Sequence, residues 1–204
     1  QETFNSYNSF ILLAVPFFLL AANLMTAGGI TERLVRLSRS LVGHLPGSLA
    51  QINVVLSVFF AGISGSSTAD AASQGKLFIE AQIKEGYGAE FSVAITAVSS
   101  VLAVVIPPSI LMIVWGGVLT TSIGALFLAG IIPGLMLAGV QMGTVHFYAK
   151  SRGYPTYPKA TWGELASALF VSIPALMTPF IIIGGKIFGW FTPTEAACIA
   201  VLYA

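Results

Sequence analysis

Charged residues are scarce in this chain. Asp, Glu, Lys and Arg make up 8% of its 204 residues, compared with about 25% in ordinary soluble domains. Because so few charges cannot cover a water-soluble surface, the sequence predicts an integral membrane protein. Hydrophobic residues account for 56% of the chain and fall in long runs. Such runs favour an all-α helical bundle over a β-barrel, whose strands alternate in polarity.

Motifs that carry enzyme chemistry are equally sparse. The single cysteine, Cys198, cannot form an internal disulfide, and its apolar sequence context is typical of a small buried side chain. The two histidines, His44 and His146, stand apart and show no metal-ligand spacing. No nucleophile–base pair or phosphate-binding loop is recognisable, so we do not expect an enzyme. The basic residues do not form one patch, so we expect no nucleic-acid partner.

The few charges mark the aqueous loops. Residues 91–149 contain no Asp, Glu, Lys or Arg, whereas residues 32–39, 76–90 and 150–164 contain most of them. The chain starts without Met or a signal peptide and stops inside an apolar run. We therefore expect both ends to be cut from a longer protein.

The first two segments are predicted to be a transmembrane helix and an interfacial arm. The first apolar run is about 20 residues long, enough to span a bilayer, and predicts a transmembrane helix over 1–29. Over 30–47, Leu34, Leu37 and Leu41 share one helical face while the arginines lie elsewhere. This pattern predicts an amphipathic arm helix with its arginines toward lipid headgroups, bracing the bundle. A membrane-surface peptide would give the same pattern.

A stretch of small polar residues, Ser64-Gly65-Ser66-Ser67, interrupts the next apolar region. The arms on its two sides are too short or too charged to cross a bilayer, so we predict a re-entrant hairpin over 48–86 with this stretch at its tip. One long span over 48–77 is the alternative. Asp70 follows the tip, where a carboxylate serves equally well as a helix cap or as an ion ligand.

Two consecutive prolines, Pro107 and Pro108, fall in the middle of the segment predicted over 87–120. They remove two backbone donors and free carbonyls about one turn earlier, near Ala103 and Val104. Freed carbonyls are costly in hydrocarbon unless something uses them, and a cation is a suitable user. The segment is therefore predicted to be a broken transmembrane helix; a simple proline kink is the alternative.

The remaining segments alternate between spans and loops. They are predicted to be a transmembrane helix over 121–149, a cytoplasmic loop over 150–163, a transmembrane helix over 164–191 and the truncated start of a further helix over 192–204. Thr192 and Glu195 match a capping box at the start of that last helix. With the hairpin opening inward, all basic residues but Lys186 lie on one side, which the positive-inside rule makes cytoplasmic.

Five ordered motifs resemble the large membrane subunit of TRAP (tripartite ATP-independent periplasmic) transporters, over nearly the whole chain. They are Phe60 to Ala72 (FAGISGSSTADAA), Gly86-Tyr87, Ile106 to Ile110 (IPPSI), Ala129 to Gly134 (AGIIPG) and Phe191 to Ala197 (FTPTEAA). The resemblance implies the first of two inverted repeats of an elevator-type secondary transporter in a bacterial or archaeal inner membrane. It also implies a sodium gradient as driver, an organic acid as substrate, and two partners, a small membrane subunit and a periplasmic binding protein.

Site residues carried over from the family lie at the tip and the break. The resemblance implies a sodium and substrate site formed by Ser64, Gly65, Ser66, Ser67, Asp70, Ala103, Val105, Pro107, Pro108 and Ser109. Sodium itself would be held by oxygens of Ser64, Ser66, Ser67, Ala103, Val105 and Pro107, with no organic cofactor. This sequence has Ala103-Val104-Val105 where the family pattern leads us to expect a glycine.

Other classes of membrane protein stay open at this point. A binding-protein-independent divalent-anion/sodium symporter of elevator type shares the hairpin plan, and dependence on a periplasmic binding protein separates the two. A channel would give flux without saturation or sodium coupling. A membrane hydrolase that uses Ser66 would lose activity when that serine is replaced.

Overall fold

The computed structural model describes residues 13–204. The regular secondary structure in this part of the chain is helical. The helices are α1 (Ala14–Ala27), α2 (Ile30–Val42), α3 (Ser48–Ser64), α4 (Ser67–Lys84), α5 (Ala89–Ser100), α6 (Leu102–Val105), α7 (Ile110–Val118), α8 (Ile123–Arg152), α9 (Trp162–Ile187) and α10 (Pro193–Tyr203). The all-helical prediction is confirmed for this part of the chain. The first twelve residues of the predicted first span lie outside the described residues.

Two helices of the described part are long and apolar enough to cross a bilayer, over Ile123–Arg152 and Trp162–Gly185. Two further pairs pass the same test only when each is taken as one bent span. The α1–α2 pair is bent by 75°, and the α5–α7 segment by 42° at the proline break. The described residues therefore contain two to four candidate crossings.

The α2 helix turns sharply away from α1 at Gly28-Gly29. Its buried side includes Leu34 and Leu37, while the arginines are exposed. Leu41, which the sequence places on the same buried face, is instead 40% exposed. The reason is local, because Leu41 lines a cavity beside the start of α9 rather than a packed helix.

The α3 and α4 helices form an antiparallel helical hairpin. The Ser57 hydroxyl donates to Gln74 Oε1 at 3.1 Å, and these two residues lie equally far from the turn between the helices. Gly65 makes that turn in the left-handed region, with φ of 60°. A straight span over 48–77 is therefore wrong. The re-entrant placement of the hairpin stays a prediction, because it depends on the membrane.

Several helix ends differ from the sequence prediction. The α8 helix continues to Arg152 and α9 begins at Trp162, so the loop between them is shorter than expected. The α9 helix includes Gly184 and Gly185 and ends at Ile187, before the end of the span predicted over 164–191. A helix tolerates glycines inside an apolar run, and the turn that follows uses Gly189 at φ of 72°.

A capping box starts α10 as predicted. The Thr192 hydroxyl accepts from the Glu195 N–H, while the Glu195 carboxylate accepts from the Thr192 N–H. Small residues on α10 then pack along α1 in one core cluster, which also includes Phe127 of α8. The apolar core thus joins the two ends of the described chain.

Candidate functional site

The hairpin tip presents hydroxyl groups on a tight turn. After Gly65, Ser66 is extended and caps α4, since its Oγ accepts from the Ala69 N–H at 3.4 Å. The Oγ atoms of Ser66 and Thr68 lie 3.1 Å apart, and Ser66 and Ser67 are partly exposed. The tip therefore combines free helix N–H groups with accessible oxygen lone pairs.

Asp70 is fully buried directly behind the tip. The Ser64 hydroxyl donates to Asp70 Oδ1 at 2.5 Å, so the carboxylate faces the last residue of α3. Because Ser66 is the cap, the capping alternative for Asp70 is wrong. The other oxygen, Oδ2, is buried and has no hydrogen-bond partner. A buried carboxylate oxygen without a partner is costly unless a cation or a proton joins it.

The broken helix lies against the tip. The Ile110 N–H donates to the Gly65 carbonyl oxygen at 3.2 Å. A Cβ atom at position 65 would lie only 2.6 Å from the Pro108 carbonyl oxygen, so the two backbones touch. The peptide bond between Pro107 and Pro108 is cis. The structure thus brings Gly65 and Pro108 together, as the family resemblance implies.

The carbonyl groups of Ala103 and Val105, just before the prolines, have different surroundings. Ala103 is buried, and no N–H at position 107 can bond its carbonyl. The Val105 carbonyl oxygen instead lies against Gly130 of α8, where a Cβ would approach it to 2.5 Å. Ile106 fits against Gly134 one turn further along α8 in the same way. Two glycines of α8 therefore receive the end of α6.

Ser109 begins the second half of the broken helix. It is fully buried, and its Oγ accepts from the Met112 N–H at 3.4 Å as the cap of α7. One lone pair of this hydroxyl is therefore already engaged with the helix end.

An apolar cavity of about 460 Å³ lies beside the tip and the break. Its wall includes Gly62 and Ile63 of α3, Ile106 and Pro107 of the break, and Pro179 of α9. Among the described residues, no charged side chain lines it. Charge on a bound solute would therefore have to be met at the polar tip, not in this cavity.

The open end of the hairpin is held by aromatic and charged residues. The Tyr157 hydroxyl donates to Glu85 Oε1, and the Arg39 guanidinium lies 4.4 Å from the centre of the Tyr157 ring. Burial raises the pKa of Tyr157 to about 12, so it remains a hydrogen-bond donor at neutral pH. The rings of Tyr154 and Tyr87 pack in a tilted arrangement with their centroids 4.2 Å apart.

Backbone contacts hold the α8–α9 loop to the same end. The Tyr157 N–H donates to the Gly43 carbonyl at 2.9 Å, and the Ser48 hydroxyl donates to the Pro155 carbonyl at 3.1 Å. The turn before α3, the end of α4 and the α8–α9 loop therefore lie together at one end of the bundle. The grouping of the basic residues on one side of the membrane stays a prediction.

The whole chain, residues 1–204, matches the family described as "Tripartite ATP-independent periplasmic transporter, DctM component". The chain belongs to this family. Because the members are transporter permeases, the prediction that the chain is not an enzyme is confirmed, and the protein is a multi-pass membrane protein.

Similar curated proteins are TRAP large permeases with different substrates in their names. The chain is 46% identical over 204 residues to the sialic acid TRAP transporter large permease of Vibrio cholerae, covering all of this chain and 48% of that protein. It is 45% identical to the ectoine TRAP transporter large permease of Halomonas elongata, covering 95% of this chain and 45% of that protein. It is 37% identical to the C4-dicarboxylate TRAP transporter large permease of Pseudomonas aeruginosa, covering 100% of this chain and 48% of that protein. The chain spans about half the length of the curated relatives it matches.

Sequence reasoning missed several polar residues of this TRAP permease chain. Thr68 joins the tip hydroxyls, and it belongs to the same polar stretch that identified the tip. Asn53 donates to Thr96 Oγ1 at 2.8 Å, and Gln51 donates to the Met142 carbonyl at 3.0 Å. These buried amides fasten α3 to α5 and α8. Their signal was present, because amides inside an apolar run need buried partners.

Proposed function

We propose that this chain is the first half of the large membrane subunit of a sodium-driven TRAP transporter. In the complete protein it imports a small organic acid across the inner membrane of a bacterium or archaeon. A periplasmic binding protein delivers the acid, and a small membrane subunit completes the complex. The observation that carries the proposal is the unpartnered, buried oxygen of Asp70 behind a hydroxyl-rich tip that touches the proline break.

Sodium occupies the space between the tip and the break in this proposal. It is a hard cation, which carbonyl, hydroxyl and carboxylate oxygens suit. Ser64, Ser66 and Ser67 supply oxygens from the tip, and Ala103, Val105 and Pro107 supply backbone oxygens from the break. Asp70 supplies the negative charge. Val105 is the ligand that requires most rearrangement, because its carbonyl oxygen lies against Gly130.

The acid binds beside the sodium at the start of α4. Free N–H groups in the first turn of α4 favour an anion, and the hydroxyls of Ser66 and Thr68 add donors. The bound sodium supplies further positive charge, which matters because no arginine lies near the tip in sequence. Pro108 and Ser109 form the opposite wall. Names of relatives include sialic acid, ectoine and C4-dicarboxylates, so this half of the protein leaves the substrate unspecified.

Transport follows an elevator mechanism in this proposal, with the hairpin re-entrant and opening to the cytoplasm. The tip and the break move together as one part of the protein. Their direct backbone contact, Ile110 N–H to Gly65 O, supports this division. A second, inverted repeat in the other half of the protein supplies the matching hairpin.

The test uses the complete large subunit with its small subunit and binding protein in sealed vesicles. A panel of organic acids is measured with and without a sodium gradient. Ser66→Ala combined with Ser67→Ala should reduce sodium-dependent uptake about 10–100-fold, the range for disturbing groups around a bound metal. Thr144→Ala is the matched control, since its exposed hydroxyl only bonds the Val140 carbonyl of its own helix.

Three outcomes separate the alternatives. Unchanged sodium-dependent uptake in the double variant contradicts the tip assignment. Full uptake without the binding protein indicates a divalent-anion/sodium symporter instead. Flux that neither saturates nor responds to sodium indicates a channel.

A further inference from the structure

We propose that a cavity between the end of α2 and the start of α9 binds the headgroup of an anionic phospholipid. The cavity has a volume of about 310 Å³, which falls within the range of roughly 300–1,000 Å³ typical of small-molecule sites. Its lining residues are Ser40, Leu41, His44, Lys159, Ala160, Trp162 and Leu165. It shares no residue with the tip, and the proposal requires only that the chain is a membrane protein.

Lys159 supplies the charge that recognises the anion. Its side chain is exposed and forms no ion pair or hydrogen bond with any residue in 13–204. The nearby arginines are engaged elsewhere, because Arg36 donates to Ser167 at 3.5 Å and Arg39 lies over Tyr157. The neighbouring acid, Glu164, is turned back onto Thr161, whose N–H and hydroxyl donate to it at 2.8 and 3.0 Å. A free cation thus faces the cavity.

Four of the other lining residues, Leu41, Ala160, Trp162 and Leu165, are apolar and suit acyl chains. Leu41 is 40% exposed and Trp162 is 87% exposed. On α9, Trp162, Leu165 and Leu169 lie on one face at helical spacing, and Leu169 is exposed like Trp162. A free phosphate ion would use Lys159 but leave this apolar face uncovered. A phospholipid accounts for both, with phosphate at the lysine and chains along α9.

The location of the cavity matches the level of lipid headgroups. Tryptophan at the end of a membrane-spanning helix is typical of the interface, and α9 begins with Trp162. The α2 helix leaves α1 at 75° with its arginines exposed, as an interfacial helix would. A lipid in this cavity would join α2 to α9 where Leu41 lacks a helix to pack against.

Brominated lipids that quench tryptophan test the proposal in the full-length large subunit. The subunit is placed in phosphatidylcholine vesicles in which a minor fraction of lipid is brominated phosphatidylglycerol or, separately, brominated phosphatidylcholine. The signal of Trp162 is obtained by subtracting that of Trp162→Phe in every background. Phosphatidylglycerol should be enriched about fivefold at Trp162, as expected for one lysine near an anionic lipid.

Variants decide whether Lys159 causes this enrichment. Lys159→Gln should abolish it and Lys159→Arg should keep it, while Lys150→Gln, an exposed lysine at the end of α8, is the matched control and should not change it. Lack of enrichment in the unaltered protein overturns the proposal, as does equal loss in the Lys150 and Lys159 variants. Removal of the enrichment by soluble glycerol phosphate shows that a free phosphate ester, not a lipid, is the ligand.

Discussion

The two ends of the α3–α4 hairpin each contain a carboxylate with one engaged and one unpartnered oxygen. At the open end, Glu85 accepts from Tyr157, and the Arg39 guanidinium lies over the ring of that tyrosine. At the tip, Asp70 accepts from Ser64, and no cation of the described residues contacts it. A tyrosine with an arginine over its ring engages the first carboxylate, whereas a serine hydroxyl alone engages the second. The proposed sodium site therefore lies at the end of the hairpin where no cation of the described residues contacts the carboxylate.

The largest effect on sodium affinity is expected at Asp70. Asp70→Asn keeps an acceptor for the Ser64 hydroxyl but removes the charge. The apparent sodium affinity of uptake should fall about 10–100-fold, the range for disturbing groups around a bound metal. Uptake is measured as a function of sodium concentration in vesicles with the complete transporter.

Glu85→Gln is the control for that experiment, because it removes the same charge at the open end. Its sodium dependence should match that of the unaltered protein. If the two variants lose sodium affinity equally, the contrast between the two ends is wrong.

Gly65→Ala is expected to lower the stability of the fold. The alanine has to adopt φ near 60°, which costs about 1–2 kcal/mol, and its Cβ would also collide with the Pro108 carbonyl oxygen. The collision should add about 1–3 kcal/mol, the usual cost of overpacking. Thermal unfolding of the full subunit measures both contributions.

Gly153→Ala isolates the backbone strain in that measurement. Gly153 has φ of 67°, and a Cβ there would meet nothing within 4 Å. Equal destabilisation by the two substitutions would contradict the close contact between tip and break.

The smallest effect is expected at the open end. Tyr157→Phe removes the donor to Glu85 and should lower the free energy of unfolding by about 1–2 kcal/mol. Sodium-dependent uptake, measured at a temperature where the variant is folded, should not change. Tyr148→Phe is the control, since Tyr148 contributes ring stacking on Phe91 at 4.6 Å. A selective loss of sodium affinity in Tyr157→Phe would mean that the open end takes part in binding.

Features set by short-range chemistry could be predicted from the sequence. The turn at Gly65, the break at Pro107-Pro108 and the capping box at Thr192 each depend on a few adjacent residues with restricted backbone or hydrogen-bonding behaviour. Ordered motifs then identified the family. The paired position of tip and break followed from the family resemblance, not from the residues alone.

Features set by tertiary contacts could not be predicted. The cap at the tip is Ser66 and not Asp70, because Ser64 holds the Asp70 carboxylate against α3. The direction of the Val105 carbonyl depends on Gly130, which is distant in sequence. The interruption at Val101, between α5 and α6, has a local signal in the sequence, because Ser99 and Ser100 donate to carbonyls three residues earlier and such bonds perturb a helix.

The glycines of α8 have a consequence for any movement of the tip. Gly130 and Gly134 form two notches one helical turn apart that receive Val105 and Ile106. Sliding the break along α8 would drive these residues onto side chains instead of bare backbone, so the fit resists translation in steps smaller than a turn. The break therefore packs with complementary shape against both the tip and α8. On the other side, the apolar cavity separates part of this unit from α9, so the unit packs less completely against α9 than against α8.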